Sequence, residues 1–97
     1  MTFQLIGVNH RTAPLEVRER LAIPEKRLPE ALERLAKFPG VDEAMIVSTC
    51  NRVELYVARP VHSRPKPEEM VQFICEFHGI VESELRPHLL LHLFVRS

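Results

Sequence analysis

Glycine is scarce in this chain of 97 residues: only Gly7, Gly40 and Gly79 are present. No G-x-G-x-x-G turn and no P-loop can be built from them, which excludes the common cradles for a nucleotide pyrophosphate. Tryptophan is absent and aromatic residues make up 6% of the chain, too few for a platform on which successive bases stack. The two cysteines, Cys50 and Cys75, lie far apart with no C-x-x-C pairing. That pattern is neither a disulfide framework nor a zinc site, and it fits a reducing cytoplasm. No excess charge of either sign exists, since 13 Lys and Arg balance 13 Asp and Glu. A strongly basic nucleic-acid coat and a membrane surface module held by charge alone are thereby disfavoured. Apolar runs are far shorter than a bilayer span. The opening Met1-Thr2-Phe3-Gln4 lacks the basic and apolar regions of a signal peptide, so a cytoplasmic location without membrane contact is expected.

What is present is ordinary for a globular chain. Hydrophobic residues make up 45% of the sequence, too many for disorder. The length predicts a single domain over residues 1–97, too small to hold both a dinucleotide-binding and a substrate domain. Phe3–Val8 reads as a buried strand. A polar turn, Asn9–Pro14, follows, with Thr12 a candidate N-cap and Pro14 suited to a first helical turn. A short helix carries Leu15, Arg18 and Leu21, with Glu16 and Arg20 at a favourable i,i+4 spacing. Ile23-Pro24 breaks it. A second helix runs to Phe38, its apolar stripe Leu28, Leu32, Leu35 and Phe38 facing the core and its Glu30–Arg34 and Glu33–Lys37 pairs facing out. Pro39-Gly40 ends it.

Ala44–Thr49 predicts a central strand covered on both faces. Val53–Ala58 alternates as a strand with one wetter face, and Cys50-Asn51-Arg52 forms the bend of the hairpin between them. Arg59–Pro67 is proline-rich loop. A third helix spans Pro67–His78, with Cys75 in its middle and Gly79 as C-cap. Ser83–Pro87 is a turn or short helix. His88–Val95 is a last strand or the start of a helix. The order gives an α+β fold of ferredoxin-like βαββαβ type, an antiparallel sheet with helices on one face.

The chemistry concentrates in Ser48-Thr49-Cys50-Asn51-Arg52-Val53-Glu54-Leu55-Tyr56. A free cysteine prefers apolar surroundings, and this one has none beside it. A neighbouring guanidinium favours the thiolate, which is the nucleophile. Thr49 and Asn51 can donate hydrogen bonds to a carboxylate or a developing oxyanion. Arg52 can hold a carboxylate bidentately. The competing reading packs Cys50 under the sheet and pairs Arg52 with Glu54. From these residues alone both stay open.

This stretch resembles the signature of the glutamyl-tRNA reductase family, as does Gly7-Val8-Asn9-His10-Arg11-Thr12-Ala13-Pro14-Leu15-Glu16-Val17-Arg18-Glu19-Arg20. The resemblance covers residues 3 to about 86. It implies that Cys50 is the catalytic nucleophile, forming a thioester with the glutamyl group of glutamyl-tRNA. It further implies that Thr49, Asn51 and Arg52 bind the substrate, and that NADPH reduces the thioester to glutamate-1-semialdehyde for tetrapyrrole synthesis. Family members are several times longer, and their NADPH-binding and dimerisation domains are not in this sequence. The fragment is therefore expected to bind no cofactor or metal and to be a monomer, with the full-length enzyme a homodimer and the downstream aminomutase a candidate partner. His92-Leu93-Phe94 resembles the start of a family helix that carries an assisting histidine. The alternative alignment, with His92 a structural residue in the preceding strand, fits the spacing from Pro87 better.

Other residues carry two readings each. Asn9-His10-Arg11 is a loop whose His10 and Arg11 face solvent, or, as the resemblance implies, a cluster near the active-site cysteine or a tRNA contact. His62, His78 and His88 lack ligand-spaced partners and read as surface or core histidines, and Cys75 as an inert core thiol. Arg11, Arg18, Arg20, Lys26 and Arg27 are interleaved with acidic residues, so a solvated face competes with a tRNA contact. A non-catalytic module binding aminoacyl-tRNA or a protein is the alternative function. A thiol redox protein is disfavoured by the lack of a nearby resolving cysteine.

Overall fold

The computed structural model of the chain describes residues 1–60 and 64–95. β1 (Thr2–Asn9) leads to α1 (Leu15–Leu21), a 3-10 turn at Glu25–Arg27 and α2 (Leu28–Ala36). The hairpin β2 (Glu43–Ser48) and β3 (Arg52–Arg59) follows, then α3 (Pro67–His78), α4 (Glu82–Leu85), a 3-10 turn at Arg86–His88 and β4 (Leu90–Val95). The strands form one antiparallel sheet in the order β2-β3-β1-β4. With α1 and α2 counted as one crossover, this is the expected ferredoxin-like arrangement.

Strand parity decides the two faces. Ile6 and Val8 of β1 and Val53, Leu55 and Val57 of β3 point to one side, where they join Leu35 of α2 and Met70 and Phe73 of α3 in the core. Among the described residues, no helix covers the opposite face. There Phe3, Leu5, Met45, Tyr56 and Phe94 surround a shallow cavity of about 350 Å³. β2 is consequently an edge strand covered on one face by α2, with Met45 52% exposed, not the doubly covered central strand expected. β3 takes the central place, and Glu54 on its supposedly wet face is only 5% exposed. An apolar run of four residues cannot distinguish these positions, because Ala44 and Ile46 alone meet the core.

Local differences have equally simple causes. In α2 the residues nearest the core are Ala31 and Leu35, flanked by half-buried Leu28 and Phe38, while Leu32 is exposed. The helix is rotated so that small Ala31 meets the sheet, displacing Leu32 from the expected stripe. Thr12 does not cap α1, whose N-cap is Pro14; it bonds back to Asn9 instead. Arg20 reaches Glu84 rather than Glu16, at 3.0 Å. Arg34 lies over the rings of Phe73 and Phe77 rather than pairing with Glu30, and Glu30 takes Arg27. The Glu33–Lys37 pair forms as expected. Gly79 ends α3 with φ of 66°, a left-handed C-cap that favours glycine.

Candidate functional site

β1 and β3 pair so that Asn9 stands opposite Arg52. The loop leaving β1 and the turn entering β3 therefore meet at the same end of the sheet. Gly7 permits the close approach of these strands: a Cβ there would stand 2.0 Å from the Val53 carbonyl oxygen.

The turn is built by Thr49. Its backbone N–H donates to the Arg52 carbonyl at 2.8 Å. Its hydroxyl oxygen accepts from the N–H groups of Asn51 and Arg52, both at 3.2 Å. Both lone pairs are thus used, and the hydroxyl proton remains free to donate outward. Cys50 is exposed at the tip of this turn, which removes the reading that packs it under the sheet. Its carbonyl oxygen accepts from Arg18 Nη1 at 2.8 Å.

The facing loop is built by Asn9. Its side-chain oxygen accepts from the N–H groups of Arg11 and Thr12 at 2.8 and 3.0 Å, an Asx turn. Its carbonyl oxygen accepts from the N–H groups of Thr12 and Ala13. Asn9 is a framework residue, and His10 and Arg11 are left exposed. These two join Asn9, Thr49, Asn51, Arg52 and Glu54 around an open cleft of about 570 Å³. The loop thus faces solvent and also lies beside the turn that bears Cys50.

On β3 the residues two apart share a face. Arg52 Nε lies 3.5 Å from Glu54 Oε1, so the Arg52–Glu54 pairing is formed. Tyr56 donates its phenolic O–H to the same carboxylate oxygen at 2.8 Å. Burial, then the hydrogen bond to Glu54, pushes the Tyr56 phenol above its ordinary value. Among the described residues no hydrogen bond occupies the terminal nitrogens of Arg52, which is half exposed. Glu54 was anticipated only as a partner for Arg52 and Tyr56 had no anticipated role, although their period-two spacing from Arg52 was the available signal.

The remaining candidates lie elsewhere. Cys75 is half-buried in α3, and burial pushes its thiol up. His78 Nδ1 lies 3.0 Å from the Ile74 carbonyl oxygen. His88 belongs to the 3-10 turn before β4, and His62 lies outside the described residues. His92 is in β4 opposite Leu5, stacked at 5.9 Å on Phe94 and away from the cleft. Among the described residues no group of three or more His, Cys, Asp or Glu side chains is placed to hold a metal ion. Nor is any helix there long and apolar enough to cross a membrane.

Residues 6–94 match the family model described as the N-terminal domain of glutamyl-tRNA(Glu) reductase. The chain belongs to this family. It is 53% identical over 89 residues to glutamyl-tRNA reductase 2 of Koribacter versatilis, covering 92% of this chain and 20% of that protein. Against the glutamyl-tRNA reductase of Synechococcus sp. strain JA-3-3Ab it is 43% identical over 94 residues, covering 97% of the chain and 22% of the relative. Against that of Neisseria gonorrhoeae strain FA 1090 it is 40% identical over 89 residues, covering 92% and 20%. The domain thus spans about a fifth of the length of these reductases, and the matched segment takes in both walls of the cleft.

Proposed function

We propose that this domain supplies the acyl-accepting thiol of a glutamyl-tRNA reductase. The observation that carries the reading is an exposed cysteine on a hairpin tip whose other residues, Thr49, Asn51 and Arg52, line one cleft. In this reading the Cys50 thiolate attacks the ester carbonyl joining glutamate to tRNA. The C–S bond forms, the C–O bond breaks, and the tRNA hydroxyl leaves with the electron pair and takes up a proton. The Thr49 O–H and the Asn51 amide donate to the developing oxyanion. The free terminal nitrogens of Arg52 hold a carboxylate of the glutamyl group, and its Nε stays with Glu54.

In the full-length enzyme NADPH supplies the hydride that takes the thioester to glutamate-1-semialdehyde. We read this domain as not holding that nucleotide, because Gly7 is closed between two strands and Gly40 and Gly79 follow separate helices, so its three glycines build no common cradle. We assign the reduction, homodimerisation and any contact with a downstream aminomutase to other parts of the enzyme. The fragment itself is read as a cytoplasmic monomer. The uncovered sheet face favours a second reading, a module that binds aminoacyl-tRNA or a protein without using Cys50.

The test is incubation with glutamyl-tRNA labelled in the glutamate, without NADPH. A hydroxylamine-sensitive label on wild type and none on Cys50→Ser is expected. Label that persists in Cys50→Ser, or unlabelled wild type that still binds the tRNA, sinks the catalytic reading and leaves the module.

A further inference from the structure

We propose that Arg18 is a positioning residue for Cys50, tying the turn that bears the thiol to the loop that forms the opposite wall of the cleft. The consequence for acyl transfer rests on the function proposed above; the tie itself does not. Arg18 lies in α1, half-buried, and is not among the residues lining the cleft. Its Nη1 donates to the Cys50 carbonyl oxygen at 2.8 Å, across 32 positions of sequence. Its Nε donates to the Ala13 carbonyl oxygen at 3.2 Å. One planar guanidinium thus holds two carbonyls from two separate segments in fixed relative position.

The two anchors are unequal. Ala13 is buried in the core and its N–H is bonded to the Asn9 carbonyl, so that end is rigid. Cys50 is exposed, and among the described residues its backbone makes no other hydrogen bond. The hairpin closes around it through Thr49, but those bonds fix the shape of the turn rather than its tilt toward His10 and Arg11. A neighbouring bond, from the Ile23 N–H to Ser48 Oγ at 3.1 Å, secures the strand end below the turn. Among the described residues, Arg18 is the side chain from outside the hairpin that hydrogen-bonds its tip. A side chain expected from sequence to face solvent or a nucleic acid is instead committed to two backbone carbonyls of the same chain. Charge-assisted bonds of this kind are about twice as strong as neutral ones, and small displacements of a nucleophile cost rate steeply.

The experiment compares wild type, Arg18→Lys and Arg18→Ala in the 97-residue chain. Amide order parameters by NMR read the tie. In Arg18→Ala those of Cys50 and Asn51 should fall below about 0.6 while β1 and β3 stay unchanged. Single-turnover labelling by glutamyl-tRNA reads the consequence. The acylation rate constant should fall about tenfold to a hundredfold at an unchanged half-saturating tRNA concentration, with alkylation of Cys50 by iodoacetamide unaffected. Added guanidinium ion should restore part of the rate. Arg18→Lys, which keeps the charge but not the fork, should be intermediate in both readings. Full activity with an ordered turn in Arg18→Lys overturns the proposal, and that variant decides the matter if Arg18→Ala does not fold. Equal acylation of wild type and Arg18→Ala also overturns it. If wild type accepts no glutamyl group, the proposed function fails, and the order parameters alone decide whether Arg18 holds the turn.

Discussion

Cys50 and Cys75 are chemically identical side chains made different by their surroundings. Cys50 stands in solvent at a turn whose neighbours are polar. Cys75 is packed against the core from α3, and desolvation disfavours its thiolate. At pH 7 to 8 a limiting amount of iodoacetamide should therefore modify Cys50 first. Peptide mapping that finds Cys75 modified as fast as Cys50 would contradict this assignment. Arg52 illustrates a different lesson. Its pairing with Glu54 and its availability to a ligand looked like rival readings, yet a guanidinium presents several donors and the strand geometry uses only Nε for Glu54.

Helix α2 tests how far periodicity carries at the scale of an element. The stripe Leu28, Leu32, Leu35, Phe38 is a sound helical pattern, but Leu28, Ala31, Leu35, Phe38 is equally sound, and the protein uses the second. Leu35→Ala should cost about 2–5 kcal/mol by leaving a core cavity. Leu32→Ala should stay within about 0.5 kcal/mol, as an exposed substitution does. Urea unfolding of the two variants checks this, and equal losses would restore the original stripe. The strands show the same limit. β1 was readable as a short apolar run and β3 by its alternation, because one face of each meets the core, and the hairpin bend at Cys50 followed from its polar residues. The edge position of β2 was not readable, since strand order depends on pairings between distant segments. The site was half legible for that reason. Thr49, Cys50, Asn51 and Arg52 are contiguous, whereas Arg18 and the Asn9–Arg11 loop join them only through the β1–β3 register.

Across the whole molecule, balanced charge is spent in local and long-range pairs rather than on one surface. Arg20–Glu84 links α1 to α4, and Arg64–Glu69 links the segment before α3 to its first turn. Glu69 also accepts from the Lys66 N–H at 3.0 Å, completing the start of α3. Arg64 first, then this backbone bond, hold the Glu69 carboxyl below its ordinary value of 4.5. A carboxyl depressed in the folded state stabilises it fully above the unfolded pKa, and the contribution disappears as pH falls through the lower folded value. Because both side chains are partly exposed, the contribution is about 1 kcal/mol or less. Glu69→Gln should lower the thermal midpoint at pH 7, and the gap from wild type should close towards pH 3. A gap that persists unchanged at pH 3 would assign the effect to packing instead of charge.

Thr49 has both acceptor positions filled by its own turn, and Arg11 and Arg52 can only donate. Of the charged side chains around the cleft, Glu54 alone accepts, and it already receives Arg52 and Tyr56. Donors thus outnumber acceptors among the charged groups at this mouth, and Glu54 meets both partners through Oε1, so an acidic guest is better matched there than a cationic one.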